Sequence, residues 1–157
     1  MTKWLSILQN NDYMAAKQHI KAGGKLNART ESGESVLAYA LKSRVDQDML
    51  ELLIENGADL FYHDDEGVSI LDFAVTYNNM FMVALLLDKG VGVNNATRKS
   101  GFTPLMAAVC YGRYEIFKVL LDAGADIKAV ERKGMTALDF AKKMRKTSMM
   151  RRLEEIS

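Results

Sequence analysis

Side chains able to do acid–base, nucleophilic or metal chemistry are few in this chain: two histidines, His19 and His63, and one cysteine, Cys110, in 157 residues. A nucleophile needs a base within hydrogen-bond reach and a third group to orient that base. No such set can be named, so no catalytic residue is assigned and the chain is read as a non-enzyme. Cys110 has no base near it in sequence and reads as a small buried or half-buried residue. The densest run of donors is Tyr62-His63-Asp64-Asp65. A closed metal site needs more donors than one turn supplies, so this run reads as a surface turn and no metal is assigned. The glycines do not form GxGxxG or a P-loop, which leaves no phosphate cradle.

What those residues sit on is set by the stretch Gly101–Ala129, GFTPLMAAVCYGRYEIFKVLLDAGADIKA. Thr103 before Pro104 is a helix start, because proline at the first helical position gives up an N–H that had no partner. Leu105, Ala107, Ala108 and Val109 make a short apolar helix of small side chains, and Gly112 with Arg113 ends it. Ile116, Val119, Leu120 and Leu121 recur at helical spacing in a second helix, closed by Gly124 as a left-handed cap.

One such pair cannot bury its own apolar faces, and the plan recurs. Turn glycines Gly33, Gly67, Gly101 and Gly134 are spaced 34, 34 and 33 residues, and capping glycines Gly23, Gly57, Gly90 and Gly124 are spaced 34, 33 and 34. Between them stand SVLAYAL, SILDFAV, TPLMAAV and TALDFAK, with Ala40, Ala74, Ala108 and Ala141 in one register. One extra residue falls near Arg44 to Gln47 and another in the loop Gly92 to Thr97, both in connections, where insertions are tolerated.

This pattern resembles the ankyrin repeat, with its Thr-Pro-Leu-His-x-Ala signature and period of about 33 residues. The fold class it implies is an all-α ankyrin-repeat solenoid: stacked helix-turn-helix pairs joined by β-turn fingers, with a capping unit at each end. The expected organisation is a single domain over residues 1–157. It comprises an N-terminal cap at 1–29, repeats at 30–63, 64–97 and 98–130, and a C-terminal cap at 131–157. The usual histidine is replaced by Ala38, Asp72, Met106 and Asp139. Asp72 and Asp139 are expected to accept the bracing hydrogen bond in its place, and Ala38 and Met106 are not.

Charge is uneven along the chain. Residues 1–91 carry 8 Lys/Arg against 13 Asp/Glu, and residues 92–157 carry 13 against 7, so a net of −5 is followed by +6. The resemblance implies that fingers and first helices line a concave binding face. Its candidate residues are Glu34, His63, Asp65 and Glu66 on the acidic side, and Lys99, Arg132 and Lys133 on the basic side. Tyr77 and Tyr111, 34 residues apart, are expected to form an aromatic patch with Phe102. Tyrosine anchors interfaces well because it offers area and a polar tip with little rotamer entropy to lose. Lids over the helix pairs are the alternative for both rings.

The implied function is a protein-interaction module that binds a protein partner through that face, as a monomer. Small bacterial ankyrin proteins similar in size are found as accessories to haem catalases. That similarity implies an alternative, an accessory or chaperone for a haem enzyme, with Tyr62 or His63 as the haem ligand; no other cofactor is expected. The terminal helix interleaves Lys142, Lys143, Arg145, Lys146, Arg151 and Arg152 with Met144, Met149, Met150 and Leu153. It reads as a cap with a solvated basic face, leaving a nucleic-acid-binding regulator as the third reading. No run is apolar for the length of a bilayer span, and one cysteine gives no internal disulfide, so the expected location is the cytoplasm.

Overall fold

The computed structural model describes residues 1–157 as ten helices in five consecutive pairs. These are α1 (Thr2–Gln9) with α2 (Tyr13–Lys21), α3 (Val36–Lys42) with α4 (Gln47–Glu55), and α5 (Ile70–Thr76) with α6 (Met80–Asp88). Then come α7 (Pro104–Cys110) with α8 (Tyr114–Asp122), and α9 (Ala137–Lys143) with α10 (Thr147–Ile156). Extended pairing is limited to single bridges, Arg29 with Ser35 and His63 with Ser69, at the bases of two fingers. No helix is long and apolar enough to cross a membrane.

The first helices of the repeats have seven residues, far below the length at which a helix holds itself in water. Burial holds them instead. In α7, Pro104 to Val109 are all buried, and in α3 only Tyr39 and Lys42 escape burial. The second helices are amphipathic: α8 buries Ile116, Phe117 and Leu120 while Tyr114, Glu115 and Lys118 face solvent. Each large apolar side chain so buried contributes about 1.5–3 kcal/mol.

Several helix starts are fixed by side-chain caps, while α1, α8 and α10 have none. Ser35 accepts from the Ala38 N–H at 3.1 Å, Asp46 from Met49 at 3.0 Å and Asn79 from Met82 at 2.9 Å. Asp72 and Asp139 do accept the bracing bonds, from the backbone N–H and the hydroxyl of Ser69 and Thr136 respectively, so each braces its own helix start. Met106 differs from expectation. Its sulfur takes the Thr103 N–H at 3.5 Å and closes the same box, because a thioether is a weak acceptor at the right reach.

The eight repeat-marking glycines all have positive φ. One more left-handed residue lies in the turn between each pair of helices: Asn11, Arg44, Asn78, Gly112 and Arg145. The first insertion falls where expected: four residues, 43–46, join α3 to α4, while 77–79 and 111–113 join the next two pairs.

The backbone groups into two compact units, 1–73 and 74–157, and the division falls inside α5 with no linker. In the first, α1 packs on α2 and α3, and α4 on α2 and α3. Asn11 donates to Asp46 at 2.8 Å, and Asn27 accepts from the Asp59 N–H at 3.3 Å. In the second, α7 packs on α8 and α9, α9 on α10, and α6 on α8. There Asn94 repeats the role of Asn27, accepting from the Asp126 N–H at 2.8 Å, and the Arg132 N–H donates to the Ser100 carbonyl at 2.8 Å, tying two fingers.

Candidate functional site

In the second unit the residues that follow the first helices leave the core together. Tyr111 and Met144 cap α7 and α9 and are 52% and 45% exposed; Tyr77, directly after α5, is half-buried. Their turns lie side by side. Arg113 donates to the Thr76 carbonyl at 2.7 Å, and a Cβ placed on Gly112 would stand 3.2 Å from the Lys146 ammonium. Each of these turns holds one left-handed residue, Asn78, Gly112 or Arg145.

Charge on this ridge is of one sign. Lys142, Lys143 and Arg145 are exposed and Lys146 half-buried, and none of the four is held in an ion pair. Burial pushes the Cys110 thiol above its ordinary pKa, while the nearby charges of Lys146 and Lys143 pull the other way. The thiol therefore stays protonated at neutral pH, which fits a packing residue and not a nucleophile. A pocket of about 240 Å³ opens beside the ridge, lined by Gly112, Tyr114, Lys146, Thr147, Ser148 and Met149.

Phe102 does not join this patch. It precedes α7 while Tyr111 follows it, about 10 Å away along seven residues of helix. Its ring meets Phe140 edge-on at 5.4 Å, and the Arg98 guanidinium lies 5.2 Å from its centre. The basic finger residues stand at that end: Lys99, Arg132 and Lys133 are exposed. Glu131 beside them accepts from the Lys133 and Met135 N–H groups, so its carboxylate is occupied by the turn.

In the first unit His63, Asp65 and Glu66 are exposed, whereas Glu34 is paired with Lys42 at 2.9 Å. The Asp65 carboxylate lies where a Cβ on Gly33 would approach to 3.0 Å, so that finger needs a glycine. Tyr62 and His63 point in opposite directions, as neighbours on extended backbone must. Tyr62 is 6% exposed, with Arg29 4.7 Å over its ring and its hydroxyl without a partner; burial raises its pKa. A buried neutral phenol is a poor axial ligand, so of the two only His63 is presented to solvent. No group of three or more His, Cys, Asp or Glu could hold a metal ion.

The sequence reading missed Phe61, which is 65% exposed. Its register, four residues after a capping glycine, is the one where Asn27 and Asn94 brace the next repeat.

The model for ankyrin repeats in three copies matches residues 5–97, 48–131 and 91–155 in overlapping passes. The chain belongs to the ankyrin-repeat family. Its relatives include Protein PhlB of Serratia liquefaciens, 34% identical over 120 residues, 76% of this chain and 52% of that protein. The E3 ubiquitin-protein ligase Ufd4 of Drosophila melanogaster is 32% identical over 116 residues, 74% of this chain and 4% of the ligase. The nuclear factor NF-kappa-B p105 subunit of Gallus gallus is 32% identical over 126 residues, 78% of this chain and 13% of the subunit. The chain thus spans between a twenty-fifth and about half of these proteins' lengths. What is shared with them is the ankyrin fold, whose general role is binding other proteins.

Proposed function

We propose that this ankyrin stack is a non-enzymatic adaptor that binds a protein partner through its concave face, with Tyr77 and Tyr111 as anchors. The observation that carries the reading is Tyr111 itself. A ring 52% exposed follows six consecutive buried residues of α7 and braces nothing. Large side chains that are exposed in the free protein and desolvated on docking supply most of the affinity of an interface. Phe102, edge-on against Phe140, serves as a separate anchor at the finger end, and the acidic and basic finger residues select the partner's orientation.

The test is affinity capture from host lysate with the native chain and a Tyr77→Ala/Tyr111→Ala variant, both shown folded by circular dichroism. A protein retained by the first and lost from the second, and cross-linked next to α7, supports the reading. Equal capture by both, or capture by neither, refutes it.

A further inference from the structure

Resting on that reading, we propose that the ridge of inter-helix turns in the second unit, Tyr77, Tyr111 and Met144 with Lys143 and Lys146, docks an acidic segment in extended conformation that carries apolar side chains at every third residue.

Three observations lead to this occupant. The first is continuity. The Arg113 bond to Thr76 and the closeness of Gly112 to the Lys146 ammonium place three successive turns edge to edge. Adjacent helices pack about 10 Å apart, and an extended chain advances about 3.3 Å per residue. A bound strand therefore moves about three residues from one turn to the next, which sets the spacing of its apolar side chains.

The second is the apolar content. Tyr111 and Met144 are both exposed, and Tyr77 holds the same register 34 residues before Tyr111. Methionine adapts its shape to an apolar guest, and tyrosine offers a flat face.

The third is charge. Residues 74–157 hold 14 Lys/Arg and 8 Asp/Glu. On the ridge the balance is entirely positive, because Lys142, Lys143, Arg145 and Lys146 have no ion-pair partner. The nearest acid on α9, Asp139, is spent on the N–H and hydroxyl of Thr136. An unneutralised basic rim around apolar contacts attracts acidic segments and repels basic ones. Farther along α10, Arg152 pairs with Glu155 and Glu154 follows Leu153, so acidic groups interrupt the basic face beyond the ridge.

The experiment uses fluorescence anisotropy with three labelled peptides of about ten residues, enough to cross three turns. One alternates pairs of Glu with single Phe, the second replaces Glu by Lys, and the third replaces Phe by Ser. The Glu/Phe peptide is expected to bind, with affinity reduced about tenfold or more when Phe is removed. The Lys/Phe peptide is expected not to bind. Tyr111→Ser/Met144→Ser and, separately, Lys143→Glu/Lys146→Glu should each weaken the Glu/Phe peptide about tenfold while circular dichroism stays unchanged. A glutamate at position 146 faces the positive end of α10, so the second variant is built to fold.

No binding of the Glu/Phe peptide, or binding that neither variant weakens, overturns the proposal. So does a duplex DNA probe that displaces the peptide and binds more tightly. If the Lys/Phe peptide binds instead and Tyr111→Ser abolishes it, the assigned charge is wrong and the protein-binding surface stands. If binding of no peptide depends on Tyr111, the extended acidic occupant is wrong, and the lysate capture with Tyr77→Ala/Tyr111→Ala decides the protein-binding reading separately.

Discussion

Gly101 and Gly134 occupy the same place in consecutive fingers and both are left-handed, with φ of 74° and 83°. Their surroundings differ. A Cβ on Gly134 would meet nothing within 4 Å, whereas one on Gly101 would stand 3.3 Å from the Glu131 Cα and 3.5 Å from the Arg132 nitrogen. Alanine at either site incurs the left-handed strain of about 1–2 kcal/mol, partly offset by the stiffer unfolded chain. A net loss of about 1 kcal/mol is therefore expected for Gly134→Ala. At Gly101 the added methyl presses on backbone, which cannot rotate away, and on a finger held by the 2.8 Å bond from the Arg132 N–H to Ser100. Stretching that bond adds about 1 kcal/mol, so Gly101→Ala should lose about 2 kcal/mol. In thermal unfolding followed by circular dichroism these become drops of about 3 °C and about 6 °C. Urea titration at fixed temperature gives the same order. A Gly101→Ala loss equal to or below that of Gly134→Ala would refute the close approach of the two fingers.

Two further predictions concern titratable groups. His19 packs edge-on against Trp4, the one tryptophan, at 4.8 Å, and its pKa is held below 6.5 by burial, then by Lys3 and the N-terminal amine. Because the folded value is depressed, the contribution of this ring to stability is complete above 6.5 and is lost as pH falls through the lowered value. Trp4 emission, quenched by a neighbouring imidazolium, should stay level down to pH 6.5 and fall only below it; a transition above 6.5 refutes the packing. Cys110 should react with an aromatic disulfide at pH 7 more slowly than a small free thiol, and more slowly still in Lys143→Gln/Lys146→Gln, since those charges oppose the effect of burial. A rate above that of the free thiol would refute the half-buried placement.

Most of the fold is legible because repetition marks it twice. A glycine after the second helix and a glycine in the finger each keep the period, and each has a conformational reason that no other residue meets as cheaply. Burial then follows from length: seven-residue helices such as α7 persist only as core, so the apolar set Leu105, Ala107, Ala108 and Val109 could be assigned inward without coordinates. The turns between paired helices were harder. Their left-handed residue is glycine only at Gly112; elsewhere it is Asn11, Arg44, Asn78 or Arg145, and arginine gives no sign of positive φ in sequence. The capping box of α7 was hidden for a similar reason. A methionine is read as apolar filler, and only the 3.5 Å approach of its sulfur to the Thr103 N–H reveals the second use.

The proposed binding surface is less legible because exposure at a helix end depends on one or two backbone angles, whereas burial along a helix depends on a whole periodic pattern. Tyr62 and His63 are adjacent in sequence and opposite in environment; no composition argument separates them, and the bridge between His63 and Ser69 does. Phe102 and Tyr111 are both aromatic and both close to α7, yet one meets Phe140 edge-on and the other reaches into water. The same logic explains why Tyr77 and Tyr111 were readable as a pair: identical register in a repeat transfers the backbone angles from one unit to the next. A partner-binding ridge on such a stack is therefore best sought where register and exposure coincide. Tyr111 and Met144 meet both conditions in the second unit, and Phe61 meets only exposure in the first.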